Sequence, residues 1–252
     1  SFAKEHNKKV HGHTLVWHRA MPAWLDAYEG DWNVLLKEHV HQVVTRYNQD
    51  IKSWDVVNEV LNEDGTLRKS LWFDKIGPSY IEQAFKAARK ANPDALLFYN
   101  DYNLEHNPAK LDAAIALCDN MKAKGIKVDG IGLQMHIAAE YPLLNDIATA
   151  TKKITDAGYK VHFSELDIRM NLNGNKTSFT QSDLNTHAQR CRDIFRLYNN
   201  VPEQYRFAIT LWGVSDADTW LKSEYGNNDI PLLFDDQYNP KPAYCEIKQL
   251  FQ

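Results

Sequence analysis

The chain has 252 residues, with 29 Lys+Arg against 33 Asp+Glu and a formal net charge of −4. That length fits one large domain or two small ones, and the interspersed charges exclude a basic nucleic-acid tail, a polybasic membrane patch and intrinsic disorder. No run approaches the roughly 18 consecutive apolar residues of a membrane-spanning helix.

In chain order, short β-rich apolar runs alternate with longer amphipathic stretches. Residues 1–9 read as the tail of a helix. A run at 10–17 precedes a helical pattern at 32–48, a run at 51–59 one at 79–91, and a run at 95–103 one at 108–124. Runs at 130–136 and 160–168 are followed by helical patterns at 143–157 and 182–199, and a last run spans 207–213. Near-continuous hydrophobic strands alternating with helices are the pattern of a parallel sheet covered by helices. Asn92-Pro93 closes one helix, Asn107-Pro108 opens the next, and Gly125 and Gly158 stand where a helix C-terminus favours glycine. No Gly/Ser/Pro-rich linker interrupts the alternation, so residues 1–252 read as a single barrel-type domain of α/β class. Cys118, Cys191 and Cys245 are widely spaced with no C-x-x-C and are expected as buried thiols.

The polar residues collect at the ends of these runs. The first ends in His13 and Trp17-His18, the second in Asn58-Glu59, the third in 100–103, the fourth in Gln134 and His136. The fifth carries Glu165 and Asp167, and the sixth Trp212. In a parallel barrel all of these groups share one rim, where such barrels do chemistry. Charge at a strand end is costly unless something uses it. Paired carboxylates flanked by indoles and amides are what glycoside hydrolysis requires: one carboxyl protonates the leaving oxygen, the other attacks or activates water, and aromatic faces stack on sugar rings. Trp17, Trp212 and Trp220 are placed to face a ligand, whereas Trp24, Trp32 and Trp72 read as packing residues. His11-Gly12-His13 could instead open a metal-dependent barrel site, but no second His pair or Lys stands where a binuclear centre needs it. No phosphate-binding Gly-rich loop or G-x-S-x-G elbow is present. Neither a cofactor nor a metal is expected.

Seven segments then fall in a familiar order: 11–18 (HGHTLVWH), 54–59 (WDVVNE), 99–102 (YNDY), 130–136 (GIGLQMH), 164–168 (SELDI), 211–216 (LWGVSD) and 241–244 (KPAY). Together they resemble the family 10 glycoside hydrolases, the endo-1,4-β-xylanases, over essentially the whole chain. The resemblance implies a (β/α)8 TIM barrel that hydrolyses xylan and xylo-oligosaccharides with retention of configuration. It implies Glu59 as acid/base, Glu165 as nucleophile and Asn58 as a partner of the sugar 2-hydroxyl. It further implies His136 against Glu165, oriented by Asp167. His13, Trp17, Gln134, Trp212 and Trp220 would line the proximal subsites, and Tyr102 the leaving-group side.

The first motif matches the family's third strand, so the first two βα units have no counterpart in these 252 residues. They are expected on a missing N-terminal segment of the same barrel, or beyond an inserted carbohydrate-binding domain. His11 stands where the family usually has Arg, and Thr219 where it usually has Ser. Another β-1,4-glycan as substrate, or a catalytically weak xylan-binding fragment, are the competing readings. The size of polymeric xylan makes a secreted, cell-surface or periplasmic location the expectation. Neither a nucleic-acid nor a membrane partner is expected.

Overall fold

The computed structural model describes residues 2–251 and divides into two compact units. One runs to Asp101 and resumes over Asn107–Gly132; the other takes Tyr102–His106 and continues from Leu133 onward.

The first unit holds α1 (Phe2–Glu5), β1 (Val10–Gly12), α2 (Trp32–Tyr47), β2 (Ile51–Asn58), α3 (Leu71–Ile76), α4 (Tyr80–Ala91), β3 (Leu96–Asp101) and α5 (Pro108–Ala123). Its strands are parallel, β1 on β2 and β2 on β3, with Gly12 opposite Trp54 and Asn58 opposite Asn100. β2 is buried without a break from Ser53 to Asn58, as a parallel strand covered on both faces must be. The helices pack by their spacing: α2 buries Trp32, Leu36, Val40 and Val44, four residues apart along one stripe. The Asp31 carboxylate opens α2 by accepting from Asn33 N at 2.8 Å. Asn107 does the same for α5, accepting from Lys110 N at 3.1 Å with Pro108 in the first turn.

The chain passes from the first unit to the second within β4 (Gly130–Leu133). The second unit then holds β5 (His136–Ala138), α6 (Leu144–Asp156), β6 (Lys160–Arg169), α7 (Gln181–Asn199), β7 (Arg206–Leu211), α8 (Trp220–Tyr225) and α9 (Pro242–Gln249). β5 and β7 flank β6, both parallel to it. A capping box between Thr180 and Asp183 starts α7.

The structure revises several sequence expectations. The run at 130–136 is two strands, because Met135 takes a left-handed backbone, φ 63°, and ends β4 before His136 starts β5. Cys118 and Cys191 are buried, but Cys245 is exposed, since α9 turns that face outward. Trp32 and Trp72 are core residues, whereas Trp24, in a short 3-10 turn, is 56% exposed. Gly125 and Gly158 follow their helices with φ of 74° and 87°, the conformation that makes glycine favourable there.

Candidate active site

Polar strand-end groups gather in two clusters, one in each unit. In the first unit the cluster is built on β2. Residues 15–17 run beside it, with Val16 N donating to Val56 O at 3.1 Å and Asn58 N to Val16 O at 2.9 Å. That alignment delivers the Trp17 indole to Glu59: its Nε1 donates to Glu59 Oε2 at 2.9 Å. Trp72 Nε1 donates to the Trp17 carbonyl at 3.1 Å and so fixes the residue that holds the carboxyl. Asn58, fully buried, accepts from Asn100 Nδ2 at 2.9 Å and turns its own Nδ2 to Glu59 Oε1 at 3.4 Å.

Glu59 stands just past β2 with a left-handed backbone, φ 58°. Its N–H donates to Asn100 O at 2.9 Å, and Arg68 Nε donates to its carbonyl at 2.8 Å. A conformation that a residue with a Cβ rarely adopts is thus held from both sides. His18 Nδ1 lies 3.7 Å from Glu59 Oε2. Burial, then the nearby Arg68 charge, lower the His18 pKa and outweigh the pull of Glu59.

Behind Glu59, the buried Asp55 carboxylate binds both histidines of the first motif. His13 Nδ1 lies 2.9 Å and His11 Nε2 3.1 Å from Asp55 Oδ2, and His11 Nδ1 reaches Ser53 Oγ at 2.8 Å. His13, Trp17, Trp24 and Trp72 share the walls of a cavity of about 540 Å³ in this unit. Trp24, read from sequence as packing, therefore presents its indole to open space.

In the second unit the cluster is built on β6, where Glu165 and Asp167, two residues apart, share one face of the strand. Both are buried. The β4–β5 connection supplies the rest: Glu165 N donates to Gln134 O at 3.0 Å, Asp167 N donates to Met135 O at 3.3 Å, and His136 pairs in register with Asp167. The break at Met135 is what brings His136 level with both carboxylates.

His136 Nε2 meets Glu165 Oε2 at 3.2 Å. Its Nδ1 lies 3.0 Å from Asp167 Oδ1, an ion-pair contact without the alignment of a hydrogen bond. Burial opposes a charge on this imidazole, but the Asp167 and Glu165 carboxylates prevail and raise its pKa to about 10. It is an imidazolium at neutral pH. Trp220 Nε1 donates to Asp167 Oδ2 at 2.6 Å, and its ring centroid lies 5.1 Å from that of His136. Trp212 packs edge-on against His136 at 6.1 Å. Gln134 is buried in the same cluster, and Tyr102 opens the short segment Tyr102–His106 of this unit.

Every site residue read from the sequence thus falls in one of these clusters or, for Tyr102, in the second unit's own segment. Asp55 and Arg68 were not singled out, and His18 reads in the sequence only as part of the polar end of the first run. An acidic residue in the middle of an otherwise buried parallel strand is the signal that could have found Asp55; nothing local marks Arg68, nine residues from the backbone it binds.

The glycosyl hydrolase family 10 model matches residues 1–250. Endo-1,4-beta-xylanase B of Thermotoga neapolitana is 37% identical over 254 residues, covering 100% of this chain and 72% of that protein. Endo-1,4-beta-xylanase A of Cellvibrio japonicus is 35% identical over 97% of this chain, which spans 44% of that longer protein. Among solved structures, xylanase 10B of Thermotoga petrophila in complex with xylobiose superposes with a TM-score of 0.90 at 37% identity, over 99% of this chain and 75% of that one. Parallel βα units that superpose this closely on family 10 xylanases are those of a (β/α)8 TIM barrel. The chain belongs to glycosyl hydrolase family 10.

Proposed function

We propose that this glycoside hydrolase cleaves β-1,4-xylosidic bonds within xylan by a retaining double displacement. The observation that carries the reading is the unequal surroundings of the two carboxylates. Glu165 is buried against an imidazolium whose pKa is about 10; Glu59 is held by the neutral donors Trp17 Nε1 and Asn58 Nδ2. A positive charge 3.2 Å from Glu165 Oε2 suits a group that attacks as an anion, whereas neutral donors suit a group that must both give and take a proton.

In the first step a Glu165 oxygen bonds to the anomeric carbon. The glycosidic C–O bond breaks, and the Glu59 proton goes to the leaving oxygen. In the second step water attacks that carbon, its proton returns to Glu59, and the bond to Glu165 breaks. Asn58 is the group for the sugar 2-hydroxyl. His13 and Trp17 in the first unit, and Gln134, Trp212 and Trp220 in the second, are the groups we assign to sugar binding, with Tyr102 assigned to the leaving group. The relatives, an endo-1,4-beta-xylanase and a xylanase solved in complex with xylobiose, support xylan and xylo-oligosaccharides as ligands. The size of a polymeric substrate supports action outside the cytoplasm, as a secreted, cell-surface or periplasmic enzyme.

Reducing-sugar release from purified xylan, cellulose and mixed-linkage glucan, with proton NMR of the first anomer formed, tests the reading. Xylo-oligosaccharides appearing first as the β-anomer are the expected result. Release from cellulose alone, or an α-anomer first, would overturn it.

A further inference from the structure

One buried ion pair of the first unit lies outside the chemistry described above. Lys110, on the first turn of α5, has no solvent exposure and places Nζ 2.9 Å from Asp101 Oδ1 and 3.0 Å from Glu63 Oε1. Asp101, at the end of β3, is fully buried as well. Its second oxygen accepts from the Tyr99 hydroxyl and from Leu61 N, the latter at 3.4 Å. Burial, then the Asp101 carboxylate, raise the Tyr99 pKa well above its usual value, so that hydroxyl remains a donor.

These contacts bracket the turn that carries Glu59. Asp101 takes the N–H of the residue two positions after Glu59, and Lys110 takes the side chain four positions after it. Asn107 Nδ2 also donates to the Glu63 carbonyl at 2.8 Å. From the opposite side, the Arg68 guanidinium binds the carbonyls of Glu59 and Leu61. Glu59 itself holds a left-handed backbone, a conformation that persists only where its surroundings over-determine it.

We propose that Asp101 and Lys110 are positioning residues that hold the Glu59 turn, so that the acid's proton is aimed at the leaving oxygen; this rests on the reading of Glu59 as acid/base. The Lys110 ammonium offsets the Asp101 charge in a site without solvent, and Asp101 Oδ2 in turn anchors Leu61 N. A displacement of about 1 Å at a catalytic group costs on the order of 100-fold in rate. The loss should fall on the two proton transfers of Glu59, and in the first step, which kcat/KM reads, on protonation of the leaving oxygen alone, because Glu165 is carried by other elements.

The test compares xylan with 2,4-dinitrophenyl β-xylobioside, whose departure needs little protonation. Lys110→Met should lower kcat/KM on xylan on the order of 10- to 100-fold and leave kcat/KM of the aryl glycoside within about threefold. Asp101→Asn with Lys110→Met keeps an oxygen for Leu61 N without an unpaired buried charge and should restore most of the xylan rate. Asp101→Leu with Lys110→Met removes that oxygen and should not. Where Lys110→Met alone fails to fold, the two double variants make the same comparison. Equal losses on both substrates, or equal rates for the two double variants, would overturn the proposal. Glu59→Ala is the control: leaving-group dependence there without it at Lys110 refutes the positioning role alone, and no such dependence at Glu59 refutes the acid assignment and the positioning role together.

Discussion

At the scale of single residues, the proposed mechanism gives the chemistry to two carboxylates and lets their neighbours decide which does what. Glu165→Ala should abolish turnover, since no bond to the anomeric carbon can form, while the imidazolium of His136 stays in place to receive a small anion. Azide is therefore expected to restore part of the rate on an activated aryl glycoside, with a glycosyl azide of inverted configuration as product. An intact variant that azide does not rescue would remove Glu165 from the nucleophile role. Both carboxylates stand out in the sequence because charge at the end of an apolar run is costly and short motifs surround each one. Some of the side chains packed around them do not. Arg68 reaches the Glu59 carbonyl from nine residues along the chain, and Lys110 reaches Asp101 from the following helix. Such pairings are set by how βα units stack, which no local pattern records.

At the scale of elements, the glycine between the two histidines of the first motif shows how a strand is fitted to its neighbour. A Cβ built on Gly12 would stand 2.1 Å from Trp54 Cε3. Trp54 lies opposite Gly12 in the parallel register and is buried, so its ring has nowhere to go. Gly12→Ala should destabilise the protein by about 1–3 kcal/mol through overpacking, read as a lower midpoint in urea with an unchanged slope. Wild-type stability in that variant would mean that the ring can move aside. The same motif sets His11 and His13 on one side of β1, where both reach Asp55. Long helices with caps were readable from sequence because their stripes and termini are local signals. The short helices α3, α8 and α9 span too few turns for a stripe to stand out. The break at Met135 was hidden because an apolar residue with positive φ looks, in sequence, like any other strand residue.

At the scale of the molecule, two histidines of the second unit, His187 buried and His136 half-buried, set opposite slopes on stability against pH. His187 is fully buried; burial and the neighbouring Lys241 charge lower its pKa from 6.5 to about 3. As pH falls below 6.5, the unfolded chain takes up a proton that the folded chain refuses, so this contribution is present above pH 6.5 and lost on the way down to about 3. His136 behaves the other way. Its pKa is raised to about 10, so the folded chain keeps a proton that the unfolded chain has released. That contribution is complete below pH 6.5 and lost as pH rises toward 10. Each difference of one bound proton changes stability by about 1.4 kcal/mol per pH unit at most. Unfolding free energy from urea titrations across pH 4–9 should therefore pass through a maximum near neutrality, with His187→Leu flattening the acid limb and His136→Gln the alkaline limb. Limbs that keep their slopes in those variants would show that other groups govern the profile. If each limb responds to its own histidine, the alkaline loss of stability and the discharge of the cation beside Glu165 are one titration, and activity should fail over the same range.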